Sequence, residues 1–183
     1  MKQLFLIGCF ITSSMYAQQT FVKGYIVQLT GDTVRGEIKI NPKKDLDLYL
    51  KVAFKEESGL QKTYKADKLK AYGFNNEVFI AGKYDGESSF YKVLSSGTLD
   101  LYELKFETLQ MNDIKTKIDF FMKKKGSEDV VKIKHGRFKK QLAEQMADAT
   151  QIVKEIEENK NLELENIEQV FDQYNTWAKA QKS

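Results

Sequence analysis

Between Lys115 and Lys140 the chain carries ten lysines and arginines against three acidic residues, Asp119, Glu128 and Asp129. Lysine ammonium groups attract phosphates and carboxylates as point charges, and an arginine fork can hold either one bidentately. Lys123, Lys124, Lys125, Lys132, Lys134, Arg137, Lys139 and Lys140 are therefore the candidate contacts for an anionic ligand. The same run also reads as a solvated outer face that keeps an edge strand from pairing. Residues 141–183 reverse the balance, with four lysines against nine acidic residues. The two segments are expected either to attract each other or to present a binding face.

Other chemistry finds little material. The single histidine, His135, falls where the last strand should meet the first helix, and one imidazole does not make a typical zinc site. No Gly-x-Ser-x-Gly elbow, phosphate-binding glycine loop or EF-hand spacing occurs. Glu56-Glu57 and Glu157-Glu158 are adjacent pairs, which on a helix do not face each other. No catalytic residue, metal ligand or cofactor is assigned, and a non-enzymatic protein is expected.

The N-terminus carries an address. Met1-Lys2-Gln3 gives one positive charge, and Leu4 to Ile11 form a short apolar core. A polar stretch then ends at Ala17, ahead of Gln18-Gln19. This is the form of a signal peptide over residues 1–17, too short to span a bilayer. Leu6-Ile7-Gly8-Cys9 competes as a lipobox that would lipidate Cys9, although only eight residues precede that cysteine. Cleavage after Ala17 leaves 166 residues without a cysteine, so an exported domain of this kind relies on its core alone. A hydrophobic content of 42% supports a folded chain, and Pro42 is the only proline, which leaves no proline-rich linker. The expected location is periplasmic, outer-membrane-associated or secreted.

The elements that must position the basic run can be read from periodicity. Tyr25 to Leu29, a Gly31-Asp32 turn, and Val34 to Ile40 make a hairpin in which Val34, Gly36, Ile38 and Ile40 share one face. Gly36 on that face predicts a bend or close backbone approach. Further strands are expected at Leu50–Phe54, Lys62–Lys65, Glu77–Ile80, Phe90–Leu94, Leu99–Leu104, Ile118–Met122 and Val130–Lys134, with Asp67 capping one helical turn. After Gly136 the period changes. Phe138, Leu142 and Met146 begin one helix. Asp148 is expected to cap a second, and Asn161 a third carrying Leu164, Ile167, Phe171, Tyr174 and Ala178. That last stripe is expected to be core rather than a docking face. The fold class is α+β, one domain over residues 18–183, with Ile38, Val52, Phe54, Leu99 and Leu101 expected to be buried in its β region. An antiparallel sheet or small open barrel over 18–134 precedes three helices over 135–183.

The order of motifs resembles a group of exported envelope proteins from Bacteroidetes-type bacteria. The resemblance rests on Gly31-Asp32-Thr33-Val34-Arg35-Gly36-Glu37-Ile38 and on Leu94-Ser95-Ser96-Gly97-Thr98-Leu99-Asp100-Leu101-Tyr102. It also rests on the stretch from Phe138 past Asp148 to Tyr174-Asn175. It implies location and layout, and brings no catalytic residues. An interaction or structural module of the envelope is the expected function. The alternative is a module that binds lipid A, peptidoglycan or an acidic partner protein through residues 115–140. No nucleic acid partner and no transmembrane span in the mature chain are expected.

Overall fold

A computed structural model describes residues 20–111 and 113–181. The signal-like segment, including Cys9 and Ala17, lies outside them. Among the described residues, ten strands form one open antiparallel sheet: β1 (Thr20–Gln28), β2 (Thr33–Ile40), β3 (Lys51–Glu56), β4 (Gln61–Lys65), β5 (Leu69–Phe74), β6 (Glu77–Tyr84), β7 (Glu87–Ser95), β8 (Leu99–Gln110), β9 (Asp113–Lys124) and β10 (Val131–Lys132). Their order across the sheet is β10-β9-β8-β7-β6-β5-β1-β2-β3-β4. Four α-helices among the described residues accompany it: α1 (Asp47–Leu50), α2 (Phe138–Gln145), α3 (Thr150–Glu158) and α4 (Glu168–Ala180). The α+β class holds, with four helices in place of the expected three. The additional one, α1, sits between β2 and β3 and supplies buried Tyr49.

The sheet coils around a first core in which Ile26, Ile38, Phe54, Tyr72, Phe79 and Phe90 are buried with Tyr49. Tyr72 and Phe79 stack at 4.7 Å between centroids, and Phe90 meets Tyr72 edge-on at 4.8 Å. The Tyr49 hydroxyl donates to Glu103, and the Lys105 ammonium lies 3.2 Å from Asp45. The chain around α1 thereby bridges the two halves of the sheet without a strand to close it. Several strand glycines are covered by rings. An added Cβ would come within 2.5 Å of Phe54 at Gly36, 2.7 Å of Tyr25 at Gly73 and 2.5 Å of Tyr91 at Gly82. The close approach expected at Gly36 is present, 2.4 Å from the Lys55 carbonyl for such a Cβ.

The C-terminal helices build a second core. Leu99, Leu101, Phe120 and Met122 pack against Leu142, Met146, Ile152, Ile156, Ile167, Phe171 and Tyr174. Side chains alternate along a strand, so Tyr102 and Phe121 point the other way. There they join Tyr84 and Tyr91, and Phe121 meets Tyr91 edge-on at 5.1 Å. The start of β8 and the end of β9 are thus buried on both faces.

The helix starts differ from expectation. No side chain caps α3, and Asp148 instead accepts the Tyr174 hydroxyl at 3.0 Å. Burial, helped by this carboxylate, pushes the Tyr174 phenol up to about 12. Asn161 caps nothing. A capping box of Glu163 and Asn166 opens a 3-10 turn at Leu164–Asn166, ahead of α4. Asp67 is likewise no cap, since it lies inside the 3-10 turn Ala66–Lys68. The strand expected over Val130–Lys134 shrinks to β10. The Gln141 side chain takes over, accepting the Lys134 N–H at 2.7 Å and donating to the Lys132 carbonyl at 3.1 Å.

Candidate functional site

The basic run is spread over β9, β10, the 3-10 turn His135–Arg137 and α2. Lys123 and Lys124 end β9, and Lys125 opens the turn after it, its N–H bonded to the Thr98 carbonyl at 2.9 Å. Lys132 is spent on the protein itself. Its ammonium lies 2.5 Å from Asp119 and 3.2 Å from the Tyr84 hydroxyl, above that ring. Burial works to lower the Lys132 pKa, yet the hydrogen bonds to Asp119 and Tyr84 prevail and raise it. The Asp119 hydrogen bond leads in raising the Tyr84 pKa. Lys139 reaches the Asn159 carbonyl at 2.5 Å, and Lys140 stands 4.0 Å from Glu144. The side chains of Lys123, Lys124, Lys125, Lys134 and Arg137 have no ion-pair partner among the described residues.

A shallow concavity of about 490 Å³ is lined by the consecutive residues His135 to Lys140. Here the helix start gathers Arg137, Lys139 and Lys140 with no acidic neighbour in the lining. His135 is exposed in a 3-10 turn, as a connector histidine should be.

A larger concavity, about 860 Å³, lies elsewhere, beside Gly24, Gly36 and Gly73. Its carboxylates are mostly engaged: Glu37 with Lys55 at 3.0 Å, Glu56 with Lys62 at 3.5 Å, and Glu77 with Lys92. Its glycines are demanded by the chain's own packing, as the contacts at each hypothetical Cβ show. Among the described residues no group of three or more His, Cys, Asp or Glu is arranged to hold a metal ion. No helix among them is long and apolar enough to cross a membrane.

The feature that sequence reasoning missed is a two-stranded arm. Strands β8 and β9 were expected to end at Leu104 and start at Ile118, but they remain paired in unbroken register out to Gln110 and Asp113. At the far end Leu109 is 71% exposed, Ile114 is 70% exposed and Met111 is fully exposed. Met111 also holds φ +49°, a left-handed conformation unfavourable for a residue with its side chain. Two other tight turns use residues suited to that conformation, Asn75-Asn76 and Asp85-Gly86. The signal for the arm was available. Alternation runs on through Leu104-Lys105-Phe106-Glu107 and through Ile114-Lys115-Thr116-Lys117-Ile118.

Two of the segments that carried the family resemblance meet in space. The Asn175 side chain of α4 bonds the backbone of Leu99 and, at 3.1 Å, the Ser95 hydroxyl. In the same turn Asp100 accepts the Gly97 N–H at 2.9 Å and the Tyr102 hydroxyl at 2.8 Å. Compared with protein-family models, curated proteins and solved structures, the chain matches none of them.

Proposed function

We propose that this protein is an exported, non-enzymatic interaction module of the bacterial cell envelope that works through the β8–β9 arm. The observation that carries the reading is the apolar tip, Leu109, Met111 and Ile114, held in water by a hairpin whose turn does not need those side chains. Surface hydrophobes grouped at the end of a projecting element mark contact sites. The signal-like residues 1–17 and the resemblance to exported Bacteroidetes-type proteins support the location. A photo-crosslinking residue placed at Met111 in the native cell tests the function. A discrete adduct, absent when the same residue replaces exposed Lys160, is the expected result. Equal labelling at both positions rejects the arm as a contact site.

A second reading, binding of an anionic envelope polymer through residues 115–140, is favoured by the concavity at the start of α2, whose lining holds Arg137, Lys139 and Lys140 and no acidic residue. Its signature is steep loss of lipid A or peptidoglycan binding between low and physiological salt. Salt-independent retention rejects it.

A further inference from the structure

We propose that the outer edge of β9 is a strand-acceptor site for an extended segment that alternates apolar and acidic residues. The inference rests on the interaction-module reading and names the kind of partner. β10 covers β9 only as far as Phe120, whose carbonyl accepts the Ile133 N–H at 2.8 Å. Beyond that point, among the described residues, no strand lies on this side of β9. In an antiparallel ladder successive residues direct both backbone polar groups to opposite sides. Phe120 points toward β10, and the register of β8 with β9 has no bulge. Ile114, Thr116 and Ile118 therefore direct their N–H and C=O groups outward, as an unfilled row of donors and acceptors.

The side chains state what should fill it. Ile114, Thr116 and Ile118 lie on one face together with Leu109, the cross-strand partner of Ile114. Lys115 and Lys117 lie on the other, both exposed and with no ion-pair partner among the described residues. An incoming strand then meets apolar surface on one side and positive charge on the other. Main-chain hydrogen bonds supply affinity and the alternate side chains supply selection, as in other strand-addition complexes.

The charge pattern separates this partner from a second copy of the chain. Residues 113–119 read Asp-Ile-Lys-Thr-Lys-Ile-Asp, the same in both directions. Two such edges paired about Thr116 would set Ile114 against Ile118. They would also set Lys115 against Lys117 and Asp113 against Asp119, like charge against like charge. The lysines thus work against self-pairing. A strand carrying acidic residues at the same positions meets no such opposition.

The test titrates the purified protein with a labelled ten-residue peptide of alternating valine and glutamate. A second titration uses the same peptide with lysine in place of glutamate. The glutamate peptide is expected to bind at least tenfold more tightly and to protect the amides of Ile114, Thr116 and Ile118 from exchange. Thr116→Pro removes an outward N–H at an edge, where proline is tolerated, and should weaken binding tenfold or more. The double variant Lys115→Glu, Lys117→Glu leaves the edge backbone intact and should invert the preference between peptides. Equal binding of the two peptides, no binding of either, or full binding to the Thr116→Pro variant overturns the proposal. A concentration-dependent dimer that excludes the peptide overturns it in favour of a second copy. Binding to phosphatidylglycerol vesicles that survives Thr116→Pro but not Met111→Ser overturns it in favour of a lipid surface. A Met111 crosslink persisting in Thr116→Pro cells would leave the interaction module standing while this edge proposal fails.

Discussion

The side-chain amide of Asn175 clasps the backbone of Leu99 from both ends. Its Oδ1 accepts the Leu99 N–H at 2.9 Å, and its Nδ2 donates to the Leu99 carbonyl at 2.9 Å. One helical side chain thus completes a strand residue's hydrogen bonding as a neighbouring strand would. The contact is close enough that a Cβ at Gly97 would lie 2.5 Å from the Asn175 carboxamide carbon. Helix α4 is thereby bonded to the sheet as well as packed on it.

Asn175→Ala strands two backbone groups and the Ser95 hydroxyl in a part-buried site. A loss of about 3 kcal/mol or more is expected in urea unfolding, at roughly 1–3 kcal/mol for each of the three groups left unsatisfied. Gly97→Ala collides with the same amide and should destabilise by itself. Combined with Asn175→Ala it should cost clearly less than the sum of the two. Strict additivity would separate the two positions energetically.

Phe171 and Tyr174 are fully buried in the second core. Phe171→Ala should cost about 3–5 kcal/mol, the range for emptying an aromatic site. Removing residues 161–183 uncovers Leu99, Leu101, Phe120 and Met122 and removes Asn175. Thermal unfolding of that truncated chain should show a lower midpoint or no cooperative transition. An unchanged midpoint in a soluble monomer would mean that the helices dock without supporting the sheet.

Among the described residues, five buried tyrosines resist ionisation. Burial leads in each case. It pushes Tyr91 and Tyr174 up to about 12 and raises Tyr49, Tyr72 and Tyr102 further. A phenol whose folded pKa exceeds its unfolded value of 10.0 gives stability that is complete below about pH 10. That stability falls as pH rises through the folded value, by about 1.4 kcal/mol per unit for each such group. Cooperative unfolding is expected between about pH 10 and 12. Circular dichroism and phenolate absorbance should change together. Phenolate absorbance rising while the fold persists would refute the linkage.

The arm tip should carry almost no stability. Leu109→Ser, Met111→Asn and Ile114→Thr remove exposed side chains, and the first and third should shift unfolding by no more than about 0.5 kcal/mol. Met111→Asn places a residue suited to positive φ in the turn and should be neutral or slightly stabilising. All three should shorten retention on a hydrophobic column. A loss above 2 kcal/mol for any of them would mean that the tip is packed.

Much of the sheet was legible because its signal is local. The face carrying Ile38, the buried Val52 and Phe54 of β3, and the buried Leu99 and Leu101 of β8 followed from alternation. The buried stripe from Leu164 to Ala178 followed from helical spacing. Helix starts were not legible at Asp148 and Asn161. Asp148 is drawn to a phenol 26 residues away, and the Glu163–Asn166 box competes with Asn161. Helix α1 was hidden because its four residues are too few to show a period. Of the basic run, the sequence located the residues but not their partners. Asp119, which neutralises Lys132, comes from the neighbouring strand, and the Asn159 carbonyl that holds Lys139 lies beyond α3. The alternation of the arm was visible in the sequence but its pairing was not, because exposed side chains leave no buried face to fix a register.

The strand order has a consequence for how the chain is made. Every neighbouring pair in the sheet is also consecutive in the chain, except β1 with β5. As a ribosome releases the polypeptide, β1 to β4 can zip up hairpin by hairpin. The return of β5 to β1 is the one sheet-forming step that closes a long loop, and such closures are slow compared with hairpin growth. From β6 to β10 each new strand again meets an edge already in place. Until α4 emerges, the apolar face formed by β8 and β9 is only partly covered, by α2 and α3. Helix α4 is therefore the element whose delay most exposes the nascent sheet to aggregation.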